Sequence, residues 1–274
     1  WPMDDHPPSG FDKPDMAPNV SIRTPEVYDI PLRTMYSKNV KNLFMAGRNI
    51  SASHVAFTSA RVMATCAVIG QAVGTAAAQC VERGLLPREL ANTPQQLTRL
   101  RQMLIRDDQT IKGVAGNDPD DHAKTAKISA SSEIGPAKAA LVQDGFLRDI
   151  PDAKGNPLEF HHWAGEMPGW IQLDWDRPRR IREVQITFDT GFPRELILSA
   201  QDSAIINTVR APQPETVRDY SITANGKTVA TVTKNHQRVN RLRFDPVETK
   251  SIRVAITGTN GLEQARVFEI RCYS

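Results

Sequence analysis

Tyr220-Ser-Ile-Thr-Ala-Asn-Gly-Lys-Thr-Val-Ala-Thr-Val-Thr233 reads as two alternating runs that meet at Asn225-Gly226. Asn-Gly supplies two consecutive residues that tolerate positive φ, which a two-residue type I′ turn requires, so the stretch is predicted to be a β-hairpin. The same period of two continues outward through Ile171-Gln-Leu-Asp-Trp175, Val184-Gln-Ile-Thr-Phe188 and Ile252-Arg-Val-Ala-Ile256. Val267-Phe-Glu-Ile-Arg-Cys-Tyr273 closes the chain as a further strand. About eight short strands separated by turn signals predict an all-β jelly-roll sandwich over 127–274.

Upstream the period changes to 3.6. Small and apolar residues dominate from Ser59 to Glu82, and Gly70 and Gly74 fall on one helical face, where another backbone is expected to approach closely. A helix apolar on nearly every side must be buried on nearly every side. Residues 1–112 supply too few partner elements for that, so this part is expected to be an α-rich, incomplete fragment of a larger domain. Gly84 and then Pro87 end the helix. Thr93-Pro94-Gln95-Gln96 predicts the next one, with Thr93 as N-cap, Pro94 at the first position and Gln96 closing a capping box. Leu97, Leu100, Leu104 and Ile105 mark its apolar face. Val40-Lys-Asn-Leu-Phe-Met-Ala-Gly47 reads as a short buried strand, and residues 1–30 as an extended segment. The polar, turn-forming stretch 113–126 is read as a linker, its Asp118-Pro-Asp-Asp-His122 cluster as solvated charge.

Composition narrows the partners. The chain has 274 residues, 40% hydrophobic and 24% charged, with a formal net charge of +3 and no clustered Lys/Arg run, so nucleic acid is not an expected partner. The longest apolar stretch, Cys66–Val81, is shorter than the ~20 residues a membrane span needs, so no span is expected and the stretch is read as a buried helix. A helix rising ~1.5 Å per residue sets Cys66 and Cys80 ~21 Å apart, beyond disulfide reach, and the three cysteines are expected to be free thiols. The chain opens Trp1-Pro-Met-Asp-Asp-His6 without an initiator Met, and a further upstream segment is expected. Compartment stays open; an upstream signal peptide would place the protein in a periplasm or outside the cell.

Two constellations carry chemistry. In Asn42–Ala78 a strand ending in Gly47, a polar loop with Arg48, Ser53 and His54, and a small-residue helix after Arg61 follow one another. The unpaired amides and partial positive charge of a helix start suit an anionic or electron-rich group, although strand–Gly–helix units occur throughout α/β proteins. The string NLFMAGRNISASHVAFTSARVMATCAVIGQAVGTAAA resembles the last flavin-contacting strand, loop and helix of a family of FAD-dependent oxidoreductases. Tyr28-Asp-Ile-Pro-Leu-Arg33 and the opening Trp-Pro-Met-Asp-Asp-His-Pro resemble that family too, so that the likeness covers 1–112. It implies that Gly47 and Arg48 lie against the ribityl-diphosphate part of FAD, and that amides near Val62 and Met63 face the flavin pyrimidine edge. It also implies that His6, His54 and Arg61 stand on the substrate side, as proton carriers and an anion-holding group. Ala64 departs from the family, where many members place a helix-initiating proline. A larger departure is that no G-x-G-x-x-G occurs in the 274 residues, so FAD is expected only in a longer protein whose missing N-terminal half receives the diphosphate.

The second constellation lies in the β region. Lys127-Ile-Ser-Ala-Ser-Ser-Glu133, Asp144-Gly145, Trp163, Pro168-Gly-Trp-Ile-Gln-Leu-Asp174, Ile181-Arg-Glu-Val-Gln-Ile186 and Ala265-Arg-Val-Phe-Glu-Ile-Arg271 resemble the coagulation-factor type C, discoidin-like family of galactose-binding-like jelly rolls. Many of its members bind carbohydrate and hold a structural calcium, and Asp144 and Glu269 match the calcium carboxylates. Asp144 making its own turn and Glu269 pairing with an arginine is the competing reading. Phe160-His161-His162-Trp163, after Gly155-Asn-Pro157, gathers rings and donors suited to a glycan, with Trp163 open to either a ligand or a core role. Trp170 and Trp175 are expected in the core.

The leading expectation is therefore the C-terminal part of an FAD-dependent oxidoreductase carrying a carbohydrate-binding-type β domain, with 1–112, 113–126 and 127–274 as oxidoreductase segment, linker and sandwich. A non-catalytic carbohydrate- or protein-binding module is the alternative. A polysaccharide-processing hydrolase or lyase ranks third, because no paired carboxylates assemble a recognisable site.

Overall fold

A computed structural model describes residues 2–24, 27–151, 157–192, 194 and 202–274. The chain divides into two compact units, one built on Trp1–Val114, the other on Ala115–Pro151 and Gly155–Ser274.

The first unit opens with an antiparallel pair, β1 (Met3–Asp5) and β2 (Val20–Ile22), and continues into helices α1 (His54–Ala60), α2 (Met63–Arg83), α3 (Pro87–Asn92) and α4 (Pro94–Arg106). Gly84 ends α2 at φ +64, where its amide reaches the Cys80 and Val81 carbonyls. Pro94 starts α4 as predicted, but the Thr93 hydroxyl donates back to the Glu89 carbonyl instead of capping. The capping carboxylate is one helix earlier, where Glu89 accepts from the Leu86 amide. Ala72, Ala76 and Cys80 of α2 pack on Leu90 of α3 and on Leu100 and Leu104 of α4.

Two expectations for this unit are corrected. Val40–Gly47 forms no strand; its pairing is a single bridge between Phe44 and Tyr36, and its residues are exposed or half-buried. Its sheet-like bonds reach only the adjoining turn, from the Ser37 amide to the Leu43 carbonyl and from the Met45 amide to the Met35 carbonyl, and among the described residues no further strand extends them. Likewise α2 is not buried all round: Met63 (78% exposed), Val68 and Val81 (85%) stand open, and a Cβ at Gly70 or Gly74 would meet nothing within 4 Å. With 21 residues it is, by length and composition alone, the one helix among the described residues apolar enough to cross a bilayer.

The second unit is all β apart from α5 (Asp202–Asn207) and short 3-10 turns. Its strands are β3 (Lys127–Ala130), β4 (Ile150–Pro151), β5 (Pro157–Glu159), β6 (Trp163–Glu166), β7 (Gly169–Phe188), β8 (Val217–Ala224), β9 (Lys227–Val232), β10 (Val239–Thr259) and β11 (Gln264–Tyr273). β4 and β5 form a small separate pair; the rest form one antiparallel sheet in the order β6-β11-β7-β10-β8-β9, with β3 on β7. The long strands β7 and β10 each serve two layers. Between the pairs Asp174–Ser251 and Arg179–Thr249 the register slips, and the exposed Asp176, Arg177 and Pro178 mark the bend. One layer holds β3, β8, β9 and the Ile171 and Ile252 segments; the other holds β6, β11 and the Ile186 and Asn240 segments. Ile171, Leu173, Val184, Ile186, Val254 and Val267, all fully buried, fill the space between them at about 1.5–3 kcal/mol per side chain. This is the sandwich the alternation predicts, and Asn225 (φ 50) and Gly226 (φ 75) make the predicted hairpin turn. Cys66, Cys80 and Cys272 are free thiols.

The stretch read as a linker is largely part of this unit. His122–Thr125 is a 3-10 turn, and Asp121, 4% exposed, accepts at Oδ1 from the Ala123 and Cys272 amides. It satisfies the free edge of β11 beyond the four residues that β6 covers, which is why this carboxylate is buried rather than solvated.

Candidate functional site

His6 and, some fifty residues on, His54 and Arg61 meet at two aspartates of β1. Asp4 accepts from Asn19 Nδ2 at 2.6 Å and stands 3.1 Å from His6 Nε2. The second ring nitrogen of His6 lies 3.0 Å from the Pro18 carbonyl oxygen. Arg61 donates to the Asp4 backbone carbonyl at 3.1 Å and reaches its carboxylate at 3.7 Å. His54 Nε2 stands 3.1 Å from Asp5 Oδ1. The Asn19 hydrogen bond first, and then His6 and Arg61, hold the Asp4 carboxyl below the usual carboxylate range. Local chain geometry sets these positions. Ser53 caps α1 through the Ala56 amide, so His54 occupies the first helical residue, and Arg61 is the C-cap of the same short helix. Asp4 and Asp5 are absent from the residues singled out in the sequence, where no spacing links them to positions fifty residues on.

The residues that the resemblance sets against FAD lie in the same unit. Val62 has no side-chain oxygen and caps nothing, so the first amides of α2, from Met63, have no capping partner. Gly47 adopts φ +77, and a Cβ there would touch Cys66 Cβ at 4.0 Å. Arg48 is exposed. These residues fit one wall of a flavin site, an open positive helix end beside a glycine turn and a cation. They do not make the diphosphate cradle, whose G-x-G-x-x-G these 274 residues lack.

In the second unit the loops before β6, after β7 and before β10 gather at one end of the sandwich. His161 and His162 are buried there, 8% and 6% exposed. Asp144 faces His161 Nδ1 at 2.8 Å, and Asp149 faces His162 Nδ1 at 3.0 Å while accepting from the His161 amide. Burial pushes the Asp144 carboxyl up, against the Phe146 amide and His161. Phe146 packs on His161, and Phe160 and Phe268 pack on His162. Arg238 lies over Phe268 (5.0 Å) and over Phe192 (4.3 Å), with Arg148 also over Phe192 (4.7 Å). Phe192, 41% exposed, is the most exposed ring of this cluster, Phe146 and Phe160 being half-buried. Neither it nor the two arginines stands out in the sequence, because none belongs to an alternating run. Gly155 and Asn156 lie outside the described residues.

Two expectations are corrected here. Trp163 is no ligand platform: it is 0% exposed and donates its indole N–H to the Ser132 carbonyl at 2.8 Å. Strand β6 lays it on the core side, with its ring against the Gly165 backbone. Asp144 and Glu269 do not form a calcium pair. Asp144 is bonded to His161 and to the Phe146 amide, and Glu269 accepts from Arg271 Nε at 2.6 Å, both side chains 2% exposed. Among the described residues no group of three or more His, Cys, Asp or Glu side chains could hold a metal.

Residues 1–104 match the family described as FAD dependent oxidoreductase. No curated protein matches the chain. Solved structures similar to it include the family 32 carbohydrate-binding module of Clostridium perfringens NanJ, in complex with galactose, at 19% identity and TM-score 0.39, covering 56% of this chain and 96% of that one. A chitosan-binding module from a chitosanase/glucanase of Paenibacillus sp. IK-5 matches at 16% identity and TM-score 0.40, covering 56% and 98%. The family 32 module of Streptococcus pneumoniae EndoD matches at 12% identity and TM-score 0.40, covering 54% and 95%.

Proposed function

We propose that this chain is the substrate-side part of an FAD-dependent oxidoreductase that acts on a sugar-related hydroxyl compound, with the second unit binding the glycan. The observation that carries the reading is the family match over 1–104 together with the meeting of His6, His54 and Arg61 on Asp4 and Asp5, immediately before the open start of α2. In this reading Gly47, Arg48 and the amides at Val62 and Met63 hold FAD, which supplies a two-electron acceptor when bound. The exposed face of α2 receives the half of the protein that carries the diphosphate loop, and Val40–Gly47 gains its strand neighbours there. His54 and Arg61 hold the substrate and handle its proton. In the second unit, the Phe192 ring, held by the Arg148 and Arg238 guanidinium groups stacked on it and with Arg238 tied to the Phe188 and Leu147 carbonyls, offers an apolar edge to a sugar, over a support of Asp144, Asp149, His161 and His162.

Intact mass and visible absorption of the protein isolated from its native source test the first half. The reading requires a mass above the 30.4 kDa of these residues and one bound flavin; a colourless protein of 30.4 kDa refutes it. Calorimetric titration of the chain with galactose, N-acetylgalactosamine and chito-oligosaccharides tests the second. Phe192→Ala is expected to abolish whatever binding is seen, and unchanged binding refutes the assignment of that ring.

A further inference from the structure

One side chain of the second unit, from the stretch read as a linker, ties together the loops that hold its buried acids. Lys124 sits on the 3-10 turn His122–Thr125, which Asp121 pins to β11 through the Cys272 amide. Its ammonium reaches across to the segment 139–145 and donates to the Gln143 carbonyl at 2.9 Å. Gly145 makes room for it: at φ +89, a Cβ there would stand 3.1 Å from Lys124 Nζ and 2.5 Å from the Gly116 carbonyl oxygen. The ammonium therefore lies against the backbone on both sides of Asp144. Asp121, Asp144 and Glu269 all feel its charge. Burial pushes each of these carboxyls up, and after their closer partners Lys124 pulls each of them back. Against the three acids stand two fixed cations, Lys124 and Arg271, with His161 the titratable group at Asp144. Calcium takes about six to eight oxygen ligands at roughly 2.3–2.6 Å. Asp144 and Glu269, the carboxylates that the discoidin-like resemblance assigns to calcium, are instead engaged by the Phe146 amide, His161 and Arg271, and the carbonyl next to Asp144 is taken by Lys124.

We propose that the Lys124 ammonium does within this chain what a bound calcium would do. It ties the turn before β3 to the segment 139–145 and offsets the clustered carboxylates, so that the second unit folds and keeps its shape without a divalent cation. A lysine brings one positive charge and three hydrogen-bond donors, and Arg271 supplies a second cation at Glu269. This link is part of the chain, so a chelator does not remove it. The inference stands apart from both the oxidoreductase reading and the glycan assignment.

Thermal unfolding of the whole chain, followed by near-ultraviolet dichroism, tests this. The wild-type protein is expected to melt at the same temperature after exhaustive chelation and in millimolar calcium chloride, and to retain no calcium by elemental analysis after dialysis. A calcium-dependent rise in melting temperature overturns the proposal, as does calcium retained by the chain, and neither readout needs a variant to fold. Lys124→Met, which keeps most of the stem and removes the charge, is expected to lower the melting temperature by roughly 3–10 °C. Adding Asp144→Asn to that variant is expected to recover part of the loss, because it removes one acid while its Oδ1 still accepts from the Phe146 amide. An unchanged melting temperature in Lys124→Met, or losses that simply add in the double variant, overturns the proposal by leaving the lysine a packing residue.

Discussion

Arg271→Met removes one member of a fully buried ion pair. Arg271 and Glu269 are each 2% exposed, 2.6 Å apart, and Glu269 Oε1 already lacks a hydrogen bond. Burial pushes the Glu269 carboxyl up, Arg271 opposes it, and the Asp121 charge adds to the rise. Without Arg271 the carboxylate loses its cation and the donor at Oε2 together, with no water to replace them. Leaving a buried charge unpaired costs about 3–5 kcal/mol, which in a unit of this size lowers the melting temperature by roughly 6–20 °C. The sign with pH is determined. Glu269 in the variant binds its proton more tightly folded than unfolded, so the penalty is small below the unfolded carboxyl value and grows as pH rises above it. Replacing both partners, as Glu269→Leu with Arg271→Met, is expected to recover most of the loss, because two apolar groups leave nothing unpaired. Thermal and urea unfolding followed by near-ultraviolet dichroism reports on this unit, which holds Trp163, Trp170 and Trp175. A single variant within 1 kcal/mol of wild type, or a double variant no better than the single one, refutes the reasoning.

Trp163→Phe keeps most of the buried ring but orphans the Ser132 carbonyl, and a loss of about 1–3 kcal/mol in urea unfolding is expected, with no first-contact effect on glycan affinity. Gly145→Ala places a Cβ 2.5 Å from the Gly116 carbonyl oxygen at φ +89, so a destabilisation of about 1–3 kcal/mol or more is expected by the same measurement. Burial raises the Asp121 carboxyl, so its contribution to stability is greatest below the unfolded carboxyl value and declines as pH rises through the folded one. Asp121→Asn, which retains the Oδ1 that accepts both amides, is expected to flatten that part of the stability–pH profile, and Asp121→Ala to destabilise at every pH.

The β unit was legible wherever a strand shows one face to the core and one to solvent. The Asn225-Gly226 hairpin and the Ile171–Trp175 and Ile252–Ile256 runs have that form, and the structure has them as strands. Period two fails in the second half of β7, where Glu183, Gln185 and Thr187 are as buried as Val184 and Ile186. There the polar face is covered as well, and Arg241 and Arg243 pair with Gln185 and Glu183. The charged run between Trp175 and Ile181 reads as a break between strands, yet it is the bend of one continuous strand. In the first unit a helix end announces itself through Gly84 and Pro94, whereas a strand's existence depends on partners, and Val40–Gly47 has one bridge. His54 and His6 were visible as residue types. The aspartates that stand beside them were not, since the approach of β1 to α1 is a tertiary event. Trp163 shows the same limit from the other side, its burial being set by which face of β6 it takes.

The most direct test of the account is anaerobic addition of a panel of sugars and oligosaccharides to the protein from its native source, with the flavin absorbance followed in time. The account predicts a yellow protein whose flavin band bleaches with at least one hydroxyl-bearing sugar, and more slowly in His54→Gln than in wild type. A protein that carries no flavin, or a flavin that no sugar reduces, contradicts it.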